Sequence, residues 1–334
     1  MPVPVPVAGT GTPSWRRARW RRLAVAALVP LLALTTTTAH AQGVWVNLPS
    51  LPTARFAPAG AAAPCPADVA GLRGTCVYAL GGQHGISLLD TVEAYSPATN
   101  TWAALPSMPT ARRTLAGAAA PCPADVAGLR GTCVYALGGF NGGGPSSSNT
   151  VEAYSPATNT WAALPSMPTA RGTLAGAAAP CPADVAGLRG TCVYALGGFN
   201  GSSPFPLGTV EAYSPATNTW AALPSMPTAR GTQAGAAAPC PNRLRSTCVY
   251  AVGGSNDSSP GDSMGTVEAY SPASNTWAAL PSMPTARENP AGAAAPCPGA
   301  PRSPCVYAVG GFNPQPGGEL GSAAEAFAIK RHAH

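Results

Sequence analysis

A five-residue segment of the sequence matches a motif that hydrolytic enzymes use. Gly261-Asp262-Ser263-Met264-Gly265 fits the G-x-S-x-G pattern, in which a strand-to-helix turn exposes the serine and a histidine acts as its base. This segment instead lies in a stretch rich in Ser, Gly and Pro, and only three histidines follow residue 41, at His84, His332 and His334. We therefore expect a loop here and no serine-hydrolase activity.

The same stretch carries oxygen-bearing side chains of the kind that bind calcium. They are Asn256, Asp257, Ser258 and Asp262. Because Asn, Asp and Ser are also common turn-forming residues, we expect a solvated loop instead. We predict no metal ion and no cofactor.

Ten cysteines recur as five closely spaced pairs. The pairs are Cys65 and Cys76, Cys122 and Cys133, Cys181 and Cys192, Cys240 and Cys248, and Cys297 and Cys305. In the last two pairs the intervening residues shorten from PADVAGLRGT to PNRLRST and PGAPRSP, yet both cysteines remain. Zinc binding is the alternative, but the spacing is not C-x-x-C and no histidine accompanies the pairs. We predict five local disulfides, which require an oxidising compartment.

The cysteine pairs belong to a unit that is repeated along the chain. Successive tryptophans, at Trp45, Trp102, Trp161, Trp220 and Trp277, are separated by 57, 59, 59 and 57 residues. The stretch AGAAAPCPADVAGLRGTCVYALGG is identical at 59–82, 116–139 and 175–198. A fixed period of this size indicates a repeat architecture.

Each unit contains four short apolar runs that are separated by turn-forming residues. In the third unit the runs are LAGAAAPC (174–181), CVYALGG (192–198), TVEAYSP (209–215) and TWAALPSMP (219–227). Runs of this length, bounded by Pro, Gly, Asn and Ser, predict strands. The 39 prolines are too frequent for long helices. Four strands repeated radially form the blades of a β-propeller.

The first 41 residues have the features of a secretory signal peptide. Five arginines within 16–22 precede an apolar run from Leu23 to Leu34, which is followed by Ala39-His40-Ala41. The apolar run is shorter than the roughly 20 residues that cross a bilayer. Without this segment the chain has 14 basic and 13 acidic residues, so it lacks the basic stripe that nucleic-acid binding requires. We expect a secreted protein, extracellular or periplasmic, with no membrane contact after cleavage.

The recurring residues resemble the kelch repeat. The marks of that family are a Gly pair that closes the second strand, a Tyr in the third strand and a Trp six or seven residues further on. In the first unit these residues are Gly81-Gly82, Tyr95 and Trp102. The last unit departs from the pattern, because Phe327 stands in the Tyr position and no Trp follows it. The resemblance covers roughly residues 43–331 and, with the signal peptide, is to kelch proteins of the secreted bacterial type.

The resemblance implies an all-β kelch-type propeller with five four-stranded blades. We place the signal peptide at 1–41 and the propeller at 42–334, with repeats near 55–104, 112–163, 171–222, 230–279 and 287–331. The last unit lacks a fourth strand, whereas Gly43 to Pro49 matches a fourth strand without a preceding third strand. We expect residues 43–49 to dock beside Ala323 to Lys330 and close the ring within a monomer. Completion by another chain is the alternative.

One arginine and one glutamate recur in every unit. The arginines, each ending a PTAR segment, are Arg55, Arg112, Arg171, Arg230 and Arg287. The glutamates, each in a third strand, are Glu93, Glu152, Glu211, Glu268 and Glu325. A ring of ligand-binding or catalytic residues is one interpretation. We predict instead a partly buried ion pair in each blade that ties its strands together.

The loops after the Gly pairs differ most among the copies. They lie on the same face as the segments that enter the first strands, and binding residues concentrate on loops that a rigid scaffold holds. Exposed Phe beside Asn can stack on sugars or peptide side chains, although FN can also simply shape a turn. The candidate ligand-binding residues are His84, Arg113, Phe140, Asn141, Phe199, Asn200, Phe205, Asn256, Asp257, Glu288, Phe312 and Asn313.

The sequence therefore predicts a non-catalytic binding module for a protein or carbohydrate ligand. The alternative is a sugar-active kelch enzyme, such as an epimerase, a mutarotase or a galactose-oxidase-like enzyme. A galactose-oxidase-like copper site needs two His, two Tyr and a Cys linked to one Tyr. Here the cysteines are predicted to be paired, and two of the three histidines after residue 41 lie in the terminal tail.

Overall fold

The computed structural model describes residues 47–142, 147–241, 246–256, 263–298, 300–313 and 324–329. All of them belong to the compact unit that begins at Val44. The predicted signal peptide, residues 43–46 of the predicted closing strand, and Asp257 lie outside the described residues.

The described chain folds into five antiparallel sheets, which are the blades of a propeller. Blade one contains β1 (Ala59–Pro64), β2 (Thr75–Leu80), β5 (Val92–Ser96) and β6 (Thr101–Leu105), with a hairpin of β3 (Gln83–His84) and β4 (Ser87–Leu88) between β2 and β5. Blade two contains β7 (Ala116–Pro121), β8 (Thr132–Leu137), β9 (Val151–Ser155) and β10 (Thr160–Leu164). Blade three contains β11 (Ala175–Pro180), β12 (Thr191–Leu196), β13 (Val210–Ser214) and β14 (Thr219–Leu223).

Blade four contains β15 (Ala234–Pro239), β16 (Thr247–Val252), β17 (Val267–Ser271) and β18 (Thr276–Leu280), and blade five contains β19 (Ala291–Cys297), β20 (Ala300–Val309) and β21 (Ala324–Ala328). The predicted all-β, five-bladed propeller is confirmed. Blade five has three strands in the described ranges, and residues 47–50 carry no strand. Closure by residues 43–49 therefore stays a prediction.

Disulfides join the end of the first strand of each blade to the second strand. The Cα atoms of each pair are 4.8 to 5.0 Å apart, and all five predicted pairs form. No described cysteine is free. Because the PADVAGLRGT insert starts and ends at a disulfide, it is tied to the sheet at both ends.

The predicted Arg–Glu pairs are also confirmed. The shortest N–O distances lie between 2.6 and 3.2 Å in the five blades. The Arg112 guanidinium also donates hydrogen bonds to the backbone carbonyls of Gly138 and Thr150 in blade two. Its own carbonyl accepts a hydrogen bond from the Gly82 amide in blade one. Arg112 therefore links two blades as well as the strands of one, and Arg171, Arg230 and Arg287 accept the equivalent bond from the preceding blade.

Each hydrophobic core lies between two blades. Tyr78 and Leu80 of blade one pack with Val134 and Tyr154 of blade two, and the Tyr78 and Tyr154 ring centroids are 6.1 Å apart. The first strands meet closely at the axis, because a Cβ on Gly176 would lie 2.8 Å from the carbonyl oxygen of Gly117. This close approach explains why the first strands consist of Ala and Gly.

Four junctions repeat a common set of contacts, from blades one and two through to blades four and five. In each Gly pair, the backbone amide of the second glycine donates a hydrogen bond to the backbone carbonyl oxygen of the arginine in the next blade. These bonds run from Gly82 to Arg112, Gly139 to Arg171, Gly198 to Arg230 and Gly254 to Arg287. Among the described residues, the equivalent bond from Gly311 to Arg55 is not formed. In the described chain, the junction of blades five and one therefore lacks this backbone bond, although Trp102 Nε1 donates to the Pro49 carbonyl as Trp161 Nε1 donates to the Pro106 carbonyl at the next junction.

Candidate functional site

One face of the propeller carries a five-membered rim around the axis. Each rim residue follows a buried arginine and forms a β-bridge with the residue after a Gly pair. The bridges are Phe56 with Gln83, Arg113 with Phe140, Gly172 with Phe199, Gly231 with Ser255, and Glu288 with Phe312. The rim and the variable loops therefore lie together, as the sequence predicts.

The Gly pairs make this arrangement possible. Gly138 and Gly139 have φ values of 58° and 97°, a region that favours glycine. A Cβ on Gly139 would lie 2.7 Å from the carbonyl oxygen of Arg113. The loop after the second strand can therefore approach the rim only because side chains are missing at these positions.

A second circle of residues, one position further along, forms the mouth of the axial cavity. Ala57, Thr114, Thr173, Thr232 and Asn289 all have φ values between 50° and 55°. Left-handed φ is rare for a β-branched residue, and each such residue costs about 1–3 kcal/mol. Backbone hydrogen bonds hold the circle, because the amides of Thr114, Thr173, Thr232 and Asn289 each donate to the carbonyl of the mouth residue in the preceding blade.

The mouth opens onto a cavity of about 480 Å³ that residues from all five blades line. Its polar lining comes from Thr114, Thr173, Thr232, Gln233 and Asn289. Its apolar lining includes Phe56, Leu115, Leu174, Pro290 and Phe312. A mostly apolar concave site with a few polar groups is typical of ligand sites.

Two of the predicted phenyl rings are packed against the neighbouring blade. A Cβ on Gly172 would lie 2.5 Å from the Phe140 ring, and the Phe199 ring covers Gly231 in the same way. Both rings are half-buried. The Arg113 guanidinium carbon lies 5.9 Å from the centroid of the Phe140 ring, within cation–π range. Phe140 and Phe199 therefore support the rim, and only their outer edges are available for a ligand.

The rim carries charge at two positions. Arg113 belongs to blade two and Glu288 to blade five, and both side chains are half-buried. Burial raises the pKa of the Glu288 carboxyl above its ordinary value, and the neighbouring Thr232 hydroxyl lowers it by a smaller amount. The carboxyl would therefore gain from a ligand group that donates a hydrogen bond.

The other predicted ligand residues lie on the loops around this rim. His84 is exposed in the β3–β4 hairpin, and Asn141 and Asn256 are exposed after the Gly pairs. Asn200 Oδ1 accepts hydrogen bonds from the amides of Ser202 and Ser203, so this FN does shape a turn. Of the remaining candidate ligand-binding residues, Phe205 and Phe312 are exposed and Asn313 is partly buried. Their role in binding stays a prediction.

Phe56 and the mouth threonines were missed in the sequence. Phe56 stands in the repeat position of Arg113 and Glu288, whose charge distinguishes them in the sequence, and it is 70% exposed. Its position directly after the PTAR arginine is the feature of the sequence that could identify it as a rim residue. The strained threonines carry no comparable signal, because Thr is ordinary in a β-rich sequence and only its φ value is unusual.

Ser263, Met264 and Gly265 are the described residues of the G-x-S-x-G segment. Ser263 forms an isolated bridge with Ser255 and precedes β17, a strand, where a nucleophile elbow would need a helix. In the described part of the chain, no cluster of three His, Cys, Asp or Glu side chains is placed to hold a metal ion. Within the same ranges, no helix has the length and hydropathy to cross a membrane.

Comparison with known proteins agrees with the repeat pattern. The family model described as the Kelch motif matches residues 70–109, 127–168, 186–227 and 246–284. The chain is 38% identical over 68 residues to human Kelch-like protein 33, a match that covers 20% of this chain and 11% of that protein. The chain therefore spans a small part of the length of this curated relative. Together with the five blades, the four motif matches show that the chain belongs to the kelch repeat family.

Proposed function

We propose that this protein is a non-catalytic recognition module that binds a protein partner through the rim and the loops after the Gly pairs. The observation that carries this proposal is the distribution of sequence variation over a repeated frame. The strands VEAYS and TWAAL are the same in blades one to four, whereas the rim holds Phe, Arg, Gly, Gly and Glu in turn. A surface that varies on a constant frame is typical of recognition sites.

The chemistry of the rim fits a partner with mixed character. Phe56 and Phe312 provide exposed aromatic surface, and Arg113 and Glu288 provide opposite charges on different blades. Aromatic and arginine side chains commonly dominate binding energy at protein interfaces. A peptide segment that carries both an apolar anchor and a charged group would match this surface.

A carbohydrate is the second candidate ligand. Phe205 is 63% exposed, and Phe312 is followed by the amide side chain of Asn313. A phenyl face next to amide groups is suited to stack on a sugar ring and to bind its hydroxyls. A sugar-active enzyme would share this surface but would also convert its ligand.

We propose that recognition takes place outside the cytoplasm. Five disulfides suit an oxidising compartment. The signal peptide expected at 1–41 would direct the chain there.

The test is a pair of matched arginine variants. The wild-type protein is used to capture partners from extracellular material and to probe a glycan array. Any ligand that it binds should be lost with Arg113→Ala or Phe312→Ala. Arg130→Ala should retain it, because Arg130 is exposed in the insert on the opposite face. Equal loss with Arg113→Ala and Arg130→Ala would contradict the proposed surface, and turnover of a bound sugar would favour the enzymatic alternative.

A further inference from the structure

We propose that the axial cavity binds a cationic group with N–H donors on an aliphatic stem, such as the end of a Lys or Arg side chain of the protein partner. Three residues of blades four and five form the acceptor cluster at which this group binds, namely Thr232, Gln233 and Glu288. This site rests on the proposed recognition function, because it names the chemical group that the partner places in the mouth of the cavity.

Gln233 breaks the repetition of the cavity wall. Leu115 and Leu174 line the cavity from blades two and three, and Gln233 stands at their repeat position in blade four. Gln233 is only 6% exposed. Its Nε2 donates to the Leu196 carbonyl at 2.7 Å, but Oε1 has no partner in the described structure. Because an unsatisfied buried acceptor costs stability, its presence where two other blades have leucine points to a ligand that satisfies it.

The hydroxyl of Thr232 is unsatisfied as well. The Thr114 and Thr173 hydroxyls each donate to the carbonyl of the preceding residue at 2.7 Å. The three threonines share one backbone conformation, with φ values of 50°, 51° and 55°. The buried Thr232 hydroxyl nevertheless makes no hydrogen bond to a described residue. The blade-four wall of the cavity therefore carries two polar side chains with unused hydrogen-bonding capacity.

Glu288 adds a negative charge to the cluster. It is half-buried beside the Thr232 hydroxyl, and it belongs to none of the five ion pairs that the described residues form. The basic residue before it, Arg287, pairs with Glu325. Burial raises the pKa of the Glu288 carboxyl. A ligand cation would therefore supply the countercharge that no described residue provides.

The rim leaves the Glu288 carboxyl uncovered. Phe140 and Phe199 follow the Gly pairs of blades two and three, and their rings cover the rim glycines of the next blade. Blade four has Ser255 at this position, and the rim residue of blade five is Glu288. A phenyl ring over a glycine is thus replaced by a small side chain next to a carboxylate.

The rest of the cavity suits an aliphatic stem. The cavity has a volume of about 480 Å³, and Leu115, Leu174 and Pro290 contribute to its apolar lining. Lys and Arg side chains pack their methylene groups on apolar surface while their charged ends reach polar groups. An ammonium group has three N–H donors and a guanidinium five, so either can satisfy several acceptors at once. A carboxylate would be repelled by Glu288, and an alcohol offers one donor and no charge.

Ligand-observed NMR of the purified, oxidised protein tests this site with four probes of similar stem. They are n-pentylammonium, n-butylguanidinium, pentan-1-ol and pentanoate. Both cations should bind with dissociation constants on the order of 1 mM, as expected for ligands of this size. The alcohol and the carboxylate should bind at least about tenfold more weakly, because neither satisfies both the acceptors and the charge. Tighter binding of the ammonium would identify a Lys-like group and tighter binding of the guanidinium an Arg-like group, whereas equal binding of all four probes, or no binding of the cations, would overturn the proposal.

Two variants locate the site. Glu288→Gln and Gln233→Leu should each weaken the binding of n-pentylammonium about tenfold. Gln233→Leu restores the residue of blades two and three, and a melting temperature no lower than that of the wild type shows that its loss of binding is not unfolding. Asp125→Asn is the matched control, because it removes a carboxylate from the exposed insert on the opposite face, and it should bind as the wild type does. Equal losses with Glu288→Gln and Asp125→Asn would reveal a general attraction of charge and overturn the proposal.

The two proposals can fail separately. A captured partner that is lost with Arg113→Ala, together with cations that do not bind, would leave the recognition function standing and refute the cationic group. Cations that bind at the acceptor cluster, together with equal loss of the partner in Arg113→Ala and Arg130→Ala, would refute only the proposed rim surface.

Discussion

The Arg112 guanidinium lies 2.6 Å from the Glu152 carboxylate, and the same arginine accepts a hydrogen bond from Gly82 of the preceding blade at its carbonyl oxygen. Both side chains are buried. The pair therefore stabilises a strand arrangement and a blade junction at once, and four more such pairs occupy equivalent positions.

Removal of one partner of this pair should be costly. Arg112→Met leaves the Glu152 charge buried and unpaired, and we expect it to lower the free energy of unfolding by about 3–5 kcal/mol. The double variant Arg112→Met with Glu152→Leu should be the more stable of the two, because no charge stays buried. Urea unfolding measures both, with Arg130→Met as the exposed control. A double variant as unstable as the single one would show that the bonds to Gly138 and Thr150 matter more than the ion pair.

Gln233 should be a site where a single substitution stabilises the fold. Its repeat position holds Leu115 and Leu174 in blades two and three. Its amide nitrogen donates to the Leu196 carbonyl, but its buried oxygen Oε1 has no partner in the described structure. Because an unsatisfied buried acceptor costs about 1–3 kcal/mol, Gln233→Leu should raise the free energy of unfolding by about 1 kcal/mol. An unchanged or lower unfolding midpoint would contradict this expectation.

A small cavity between blades four and five predicts a second stabilising substitution. Val252 stands where blades one to three have Leu80, Leu137 and Leu196, and it lines a cavity of about 70 Å³ beside Met283 and Phe327. An added methylene that fills this space should contribute about 0.8 kcal/mol. Thermal unfolding of Val252→Leu should therefore show a higher midpoint. Val193→Leu is the control, because Val193 is fully buried and excess volume there should destabilise the fold.

Glu288 should make stability depend on pH in a direction opposite to that of an ion-paired carboxylate. Its folded-state pKa is raised by burial, so the folded protein holds this proton more tightly than the unfolded chain does. Stability should therefore fall as pH rises from the unfolded pKa of about 4.3 through the raised folded value. Glu288→Gln should remove this contribution. Unfolding curves from mildly acidic to neutral pH that are parallel for the two proteins would contradict the assignment.

The disulfides should contribute strongly to stability. Replacement of Cys122 and Cys133 by alanine should lower the free energy of unfolding by about 3 kcal/mol, because the bond restricts a loop in the unfolded chain. The oxidised wild type should show no thiol that reacts with an alkylating reagent, and a reductant should lower its melting temperature. Reactive thiols in the untreated protein would refute the pairing.

The contacts that could be predicted from the sequence are those that recur within every repeat unit. The paired cysteines and the Arg–Glu pairs recur in every unit, so their partners could be inferred from position alone. Sequence reasoning failed where the partner lies across a junction. The half-burial of Phe140 depends on Gly172 in the next blade, and the exposure of Val77 depends on the absence of a covering blade among the described residues. The positive φ of Thr114 could not be predicted either, because it depends on backbone contacts and threonine is an ordinary residue in a β-rich sequence.

The hydrogen bonds from Asn159 to Asp68, Asn218 to Asp125, and Asn275 to Asp184 have an evolutionary consequence. Each full-length unit carries both the donor for the unit before it and the acceptor for the unit after it. A duplicated unit inserted between two others would thus bring both the asparagine and the aspartate that bond to the adjacent units. The gene could therefore gain a repeat without any compensating change in the adjacent repeats.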